Sequence, residues 1–142
     1  MAARKYRSME HIKVILDKFN NYVATEETSW NMLIIGNFFT HDVKYRIKYW
    51  IESFNESNDS LFSAGGNWAL LEKDAEGYVI MTDVVTDYDY DPEPVPLEQS
   101  LRIKPSELIK LLYKWEELYT KKVPEIMITK DGEIFDMFEI KS

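Results

Sequence analysis

An α+β domain, mainly an antiparallel sheet built from hairpins with about three helices packed on it, is what this sequence predicts. Three observations carry that reading. Residues 67–73 with 78–85, and 125–129 with 133–140, are pairs of short β-branched or alternating runs joined by Asp- and Gly-containing turns, the pattern of β-hairpins. Other segments repeat apolar residues at three-to-four spacing, the period of a helix face. The 142 residues are 45% apolar and 14% aromatic, enough for one core and of a size for one domain over residues 1–142.

The elements follow in order. Ser8 can cap a first helix whose inner face is Met9, Ile12, Ile15, Leu16, Phe19 and Tyr22 or Val23, with Glu10 in the first turn where the macrodipole favours an acid. Residues 25–29 are a polar break. Residues 30–39 (WNMLIIGNFF) are apolar and poorly periodic, which predicts a buried strand, with Gly36 marking a bulge or a close approach. Thr40 or Asp42 then caps a second helix with Val43, Ile47, Trp50, Ile51 and Phe54 inward and Lys44, Arg46 and Lys48 on the other side. Gly65–Gly66 is a turn signal before the first hairpin, and Gly77 supplies a positive φ in its turn. Leu101 to Ile103 form a short edge strand. Pro105 opens a third helix, with Leu108, Leu111, Leu112, Trp115, Leu118 and Tyr119 buried and Pro124 preventing continuation. The closing hairpin turns at Lys130-Asp131-Gly132.

Charge is unevenly placed. The chain has 25 acids and 17 bases, a net −8. Between Lys73 and Arg102 there is no base, and Asp74, Glu76, Asp83, Asp87, Asp89, Asp91, Glu93 and Glu98 fall there. The remainder holds 17 acids and 17 bases and is neutral. Such a concentration repels nucleic acid, whose binding rests on phosphate neutralisation, and anionic lipid. It attracts a basic partner and speeds the encounter.

Chemistry-bearing patterns are sparse. Cys is absent, which removes disulfides, thiol nucleophiles and thiolate metal sites. His11 and His41 lack a second ligand at metal-binding spacing, and both read as structural. There is no G-x-S-x-G elbow, no phosphate loop and no G-x-G-x-x-G. Asp87, Asp89, Asp91 and Glu98 fall at positions 1, 3, 5 and 12 of a calcium-loop count. Pro92 occupies position 6, where an EF-hand needs Gly. Neither a catalytic residue nor a metal or other cofactor is expected. No 18-residue apolar run and no secretory leader is read, so a cytoplasmic address is the expectation.

The acidic stretch reads instead as a recognition surface. Tyr88 and Tyr90 alternate with Asp87, Asp89 and Asp91, so in extended chain rings and carboxylates face opposite sides. Pro92, Pro94 and Pro96 hold the segment extended and reduce the entropy lost on docking. The expected partner-binding residues are Asp83, Asp87, Tyr88, Asp89, Tyr90, Asp91 and Glu93, with Trp68 of the neighbouring hairpin as a further anchor. Trp30, Trp50 and Trp115 are expected in the core.

Residues 105–119 (PSELIKLLYKWEELY), 124–140 (PEIMITKDGEIFDMFEI) and 62–83 (FSAGGNWALLEKDAEGYVIMTD) give the chain a resemblance. It resembles the immunity proteins of bacterial polymorphic-toxin and contact-dependent growth-inhibition systems. That resemblance implies a cytoplasmic protein that binds one cognate toxin domain, often a nuclease, and blocks it; it carries no binding residue over. Two other classes remain at this stage: a non-catalytic adaptor that binds a basic peptide or self-associates through a sheet edge, and a carboxylate-based hydrolase.

Overall fold

The computed structural model describes residues 9–26, 28–56, 63–65, 69–83 and 100–141. Its strands are β1 (Glu10–Leu16), β2 (Tyr22–Thr25), β3 (Ser63–Gly65), β4 (Ala69–Lys73), β5 (Val79–Asp83), β6 (Ser100–Ile103), β7 (Glu125–Asp131) and β8 (Ile134–Glu139). Its helices are α1 (Trp30–Asn37), a π-helical turn (Phe38–Val43), α2 (Ile47–Glu56) and α3 (Pro105–Thr120). The fold is α+β, as predicted, with two four-stranded antiparallel sheets ordered β2-β1-β7-β8 and β3-β4-β5-β6.

Two elements are of the opposite kind to the sequence reading. The expected first helix over residues 9–23 is instead the hairpin β1–β2, with Leu16 paired to Tyr22. Turn chemistry decides this. Asp17 Oδ1 accepts the N–H groups of Phe19 and Asn21, and Asn20 takes φ 67°, a conformation Asn tolerates. Ile12 and Val14 then alternate inward, and Phe19, placed on the predicted helix face, stands 72% exposed at the loop. His11 accordingly lies on a strand, opposite Thr129.

The expected strand over residues 30–39 is instead α1 and the start of the π turn. Ser29 caps α1, its hydroxyl accepting the N–H of Met32 at 3.3 Å. The segment lacks helical periodicity because most of its surface is buried, with Asn31, Leu33 and Asn37 half-buried, so no broad polar face marks it as a helix. It packs against β1 and β2 of one sheet and β5 and β6 of the other, and Met32, Ile34, Ile35, Phe38 and Phe39 are all buried. Gly36 does mark a close approach: a Cβ there would overlap Ile12 Cδ1 and stand 3.2 Å from Ala24 Cβ.

Of the other elements, α2 begins at Ile47, after the π turn and not directly after Thr40 or Asp42, and β3 occupies Ser63–Gly65 where a turn was expected; the rest lie where the sequence placed them. Pro105 opens α3, and Leu108, Leu111, Leu112, Trp115 and Leu118 line its buried face. Leu101 and Ile103 are on edge strand β6. The closing hairpin pairs Asp131 with Ile134, so its loop is Gly132–Glu133, one residue beyond the predicted turn, with Gly132 at φ 63°. Trp50 and Trp115 are core residues.

One buried polar contact ties the first hairpin to the end of α3. The Tyr22 hydroxyl donates to the Val123 carbonyl at 2.7 Å. Burial, reinforced by Tyr119, pushes its pKa from 10.0 up to about 12. Neutral phenol is therefore favoured by the fold. That contribution is complete below pH 10 and is lost as pH rises from 10 to about 12, with a size on the order of 1–3 kcal/mol. Tyr22→Phe is expected to cost roughly 1–3 kcal/mol because a buried carbonyl loses its donor. It should also flatten the stability decline above pH 10, as read by urea titrations on either side of that pH. An undiminished decline in the variant would refute the assignment.

Candidate functional site

The second sheet has charge pairs at one of its ends. At one end, Asp74 to Gly77 joins β4 to β5, with Gly77 at φ 88°. Arg102 on β6 reaches across it: its Nε lies 2.9 Å from Asp74 Oδ2 and a terminal nitrogen lies 3.0 Å from Glu76 Oε2. Its guanidinium also sits 3.6 Å from the centre of the Tyr78 ring. The hydrogen bond from Arg102 holds the Asp74 carboxyl below its ordinary range. Tyr78 and Lys104 both bind Glu133 of the closing hairpin, at 3.1 and 3.0 Å, which ties the two sheets together here. Asp74 and Glu76 are thus compensated locally, so the stretch that is base-free in sequence is shorter in space.

The other end is where residues 84–99 leave and re-enter the sheet. β5 ends at Asp83 and β6 begins at Ser100, with Thr82 opposite Ser100. Residues 84–99 leave from and return to adjacent antiparallel strands, about 5 Å apart. Asp83 pairs with Ala69, the first residue of β4, and β3 ends at Gly65 beside Leu70. The register therefore brings the roots of the 66–68 and 84–99 connections to one sheet end. Of the expected binding residues, Asp83 is placed there by its backbone. Trp68, Asp87, Tyr88, Asp89, Tyr90, Asp91 and Glu93 lie outside the described residues.

That end is braced from behind. Asp42, in the π turn and buried, accepts the Ala69 N–H on its Oδ2 at 2.9 Å. Its carbonyl accepts the Trp50 indole N–H at 3.2 Å. The sequence reading made Thr40 or Asp42 a helix cap. Thr40 instead donates to the Gly36 carbonyl at 3.0 Å, and Asp42 couples the turn to the sheet.

Next to the π turn is a cavity of about 280 Å³ whose lining includes Asn21, Tyr22, His41, Lys44, Trp115 and Tyr119. The pKa of His41 is lowered by partial burial and then by Lys44. Among the described residues, no three His, Cys, Asp or Glu side chains gather as a metal site. No helix among them is long and apolar enough to cross a membrane. No known protein family, curated protein or solved structure matches this chain.

Sequence reasoning passed over one surface. Lys44, Tyr45, Arg46, Lys48 and Tyr49 are all exposed around the entry to α2. The signal was visible as K-Y-R-I-K-Y, but helical periodicity alone assigns it to an ordinary solvated face.

Proposed function

We propose that this chain is an immunity protein that binds and neutralises a cognate bacterial toxin domain, most naturally a nuclease, by covering its basic active-site surface. The observation that carries the reading is one of charge and topology. Asp83, Asp87, Asp89, Asp91, Glu93 and Glu98 fall in a stretch without a base, whose two ends are pinned by the Thr82–Ser100 register. Inhibition is then steric occlusion with charge complementarity and needs no turnover. A nuclease fits because its substrate is a polyanion, so its binding surface is basic and complementary to such a segment. The resemblance of the C-terminal hairpin and α3 to immunity proteins supports the same class.

The test uses the tagged chain isolated from its own host. One basic protein should co-purify in fixed ratio, and co-expression of this chain should protect cells from that partner's toxicity. Changing Asp87, Asp89 and Asp91 together to Asn should slow association by about tenfold and weaken its salt dependence, because steering scales with complementary charge. Unchanged association kinetics would remove the acidic segment from the interface. Absence of protection would remove the function.

A further inference from the structure

Three bases enter α2 at the wrong end. Lys44, Arg46 and Lys48 sit at or just before its N-terminus, and its first turn holds no acid. The macrodipole disfavours cations there, so the arrangement works against the helix it begins. Several bases elsewhere are compensated. Arg102, Lys104, Lys110, Lys114, Lys121 and Lys130 each meet a carboxylate at 2.9–3.2 Å. Among the described residues, none of Lys44, Arg46 and Lys48 forms a salt bridge. A local choice that opposes the fold without visible compensation is where function is expected.

The backbone presenting these bases is also held in a costly shape. Lys44 takes φ 46°, ψ −113°, a region that side-chain-bearing residues rarely occupy. Its N–H closes the π turn on the Phe39 carbonyl at 3.0 Å. Its own carbonyl accepts the Trp115 indole N–H at 2.8 Å. Tyr45 and Tyr49 flank the bases, 69% and 56% exposed, and Lys44 and His41 reach the 280 Å³ cavity over Tyr22, Trp115 and Tyr119. The Arg46 guanidinium stands 6.0 Å from the Tyr45 ring, and of the three bases only Lys44 lines the cavity, so the exposed Tyr and Arg groups lie beside the pocket; such side chains are enriched in interface hot spots.

We infer that Lys44–Tyr49 is a docking surface for an acidic segment of a partner protein, with carboxylates on Lys44, Arg46 and Lys48 and an aromatic side chain entering the cavity. Charge complementarity selects this occupant. Nucleic acid requires cations along a phosphate track, and three bases within one turn of a chain of net −8 offer too short a track. A few carboxylates match that footprint, and acids more than roughly 8 Å away are screened at physiological salt. This surface is separate from the acidic connection, so it stands or falls independently of the toxin-neutralising reading.

The probe is a fluorescein-labelled glutamate–tyrosine copolymer, titrated with the full chain and followed by anisotropy at physiological salt, where the chain's distant acids are screened. K44E/R46E/K48E should weaken binding by about tenfold or more while leaving the melting temperature unchanged or higher, since acids suit a helix N-terminus. Y45A/Y49A should also weaken it without loss of fold, because both rings are exposed. D87N/D89N/D91N should leave it intact or strengthen it, which separates the two surfaces. The inference is overturned if the copolymer does not bind, if the lysine–arginine reversal leaves binding unchanged, or if labelled oligothymidylate binds more tightly. It is also overturned if sedimentation shows the chain self-associating in a way that K44E/R46E/K48E abolishes, because the occupant is then a second copy.

Discussion

Trp115→Ala is expected to lower stability by roughly 3–5 kcal/mol, the range for emptying a buried Trp site, out of a total that seldom exceeds about 15 kcal/mol. Trp115 is fully buried. It meets the rings of Tyr22, Phe39 and Tyr119 at centroid distances of 5.3, 5.4 and 5.7 Å. It thus joins α3, the π turn and the first hairpin in one aromatic cluster. Its indole N–H also satisfies the carbonyl of Lys44, a residue held at φ 46°. Trp115→Phe separates these contributions: it keeps much of the packing but drops the donor, and should cost about 1–3 kcal/mol. Chemical denaturation of both variants checks this. A loss below about 1 kcal/mol for the Ala variant would mean that the cluster re-packs freely, against the rigidity expected of a close-packed core. Because Lys44 lies at the centre of the basic surface, Trp115→Phe should also weaken copolymer binding while leaving every charge in place.

How much of this was legible in sequence depends on which force set each element. The 69–83 and 125–139 hairpins and α3 were legible because local signals agreed with the fold: Gly77 and Gly132 at positive φ, Pro105 at the helix start, and one buried stripe on α3. The β1–β2 hairpin was missed because Ile12, Ile15, Leu16 and Phe19 imitate helical spacing. The Asp17–Asn21 loop, with Asp at its first position and Asn20 at positive φ, held the contrary signal. The central helix α1 was misread because enclosure between two sheets removes the polar face by which a helix is recognised, leaving an apolar run indistinguishable from a buried strand. Among the candidate site residues, the acidic segment was legible as charge. Arg102, however, sits 28 residues from Asp74 and compensates it in space, which a linear reading of charge does not see. The basic surface was hidden differently: the sequence showed its residues, but only the structure shows that among the described residues they form no salt bridge and that Lys44 takes φ 46°.

The enclosure of α1 yields the second large effect. Gly36→Ala on an exposed helix would stabilise by about 0.5–1 kcal/mol. Here the new Cβ would overlap Ile12 Cδ1 and crowd Ala24 Cβ, and Ile12 is itself fully buried. Overpacking costs about 1–3 kcal/mol, so the Ala variant should be near neutral to modestly destabilised. Gly36→Val adds branching to the same clash and should lose about 3 kcal/mol or more. The physical content lies in the partner. If α1 approaches β1 closely because residue 36 has no side chain, then shortening Ile12 to Ala should cost less in the Gly36→Val background than in the parent chain. The two substitutions would then couple by about 1–3 kcal/mol in a double-mutant cycle. Additive losses would show that Gly36 serves helix geometry and not this contact. The same displacement matters beyond stability. The Gly36 carbonyl anchors Thr40, and the turn that contains Thr40 positions Asp42 against Ala69 and presents Lys44. Pushing α1 away from β1 should therefore disturb the brace behind the acidic sheet end and the basic surface together, and Ile12→Ala should restore both in the Val variant.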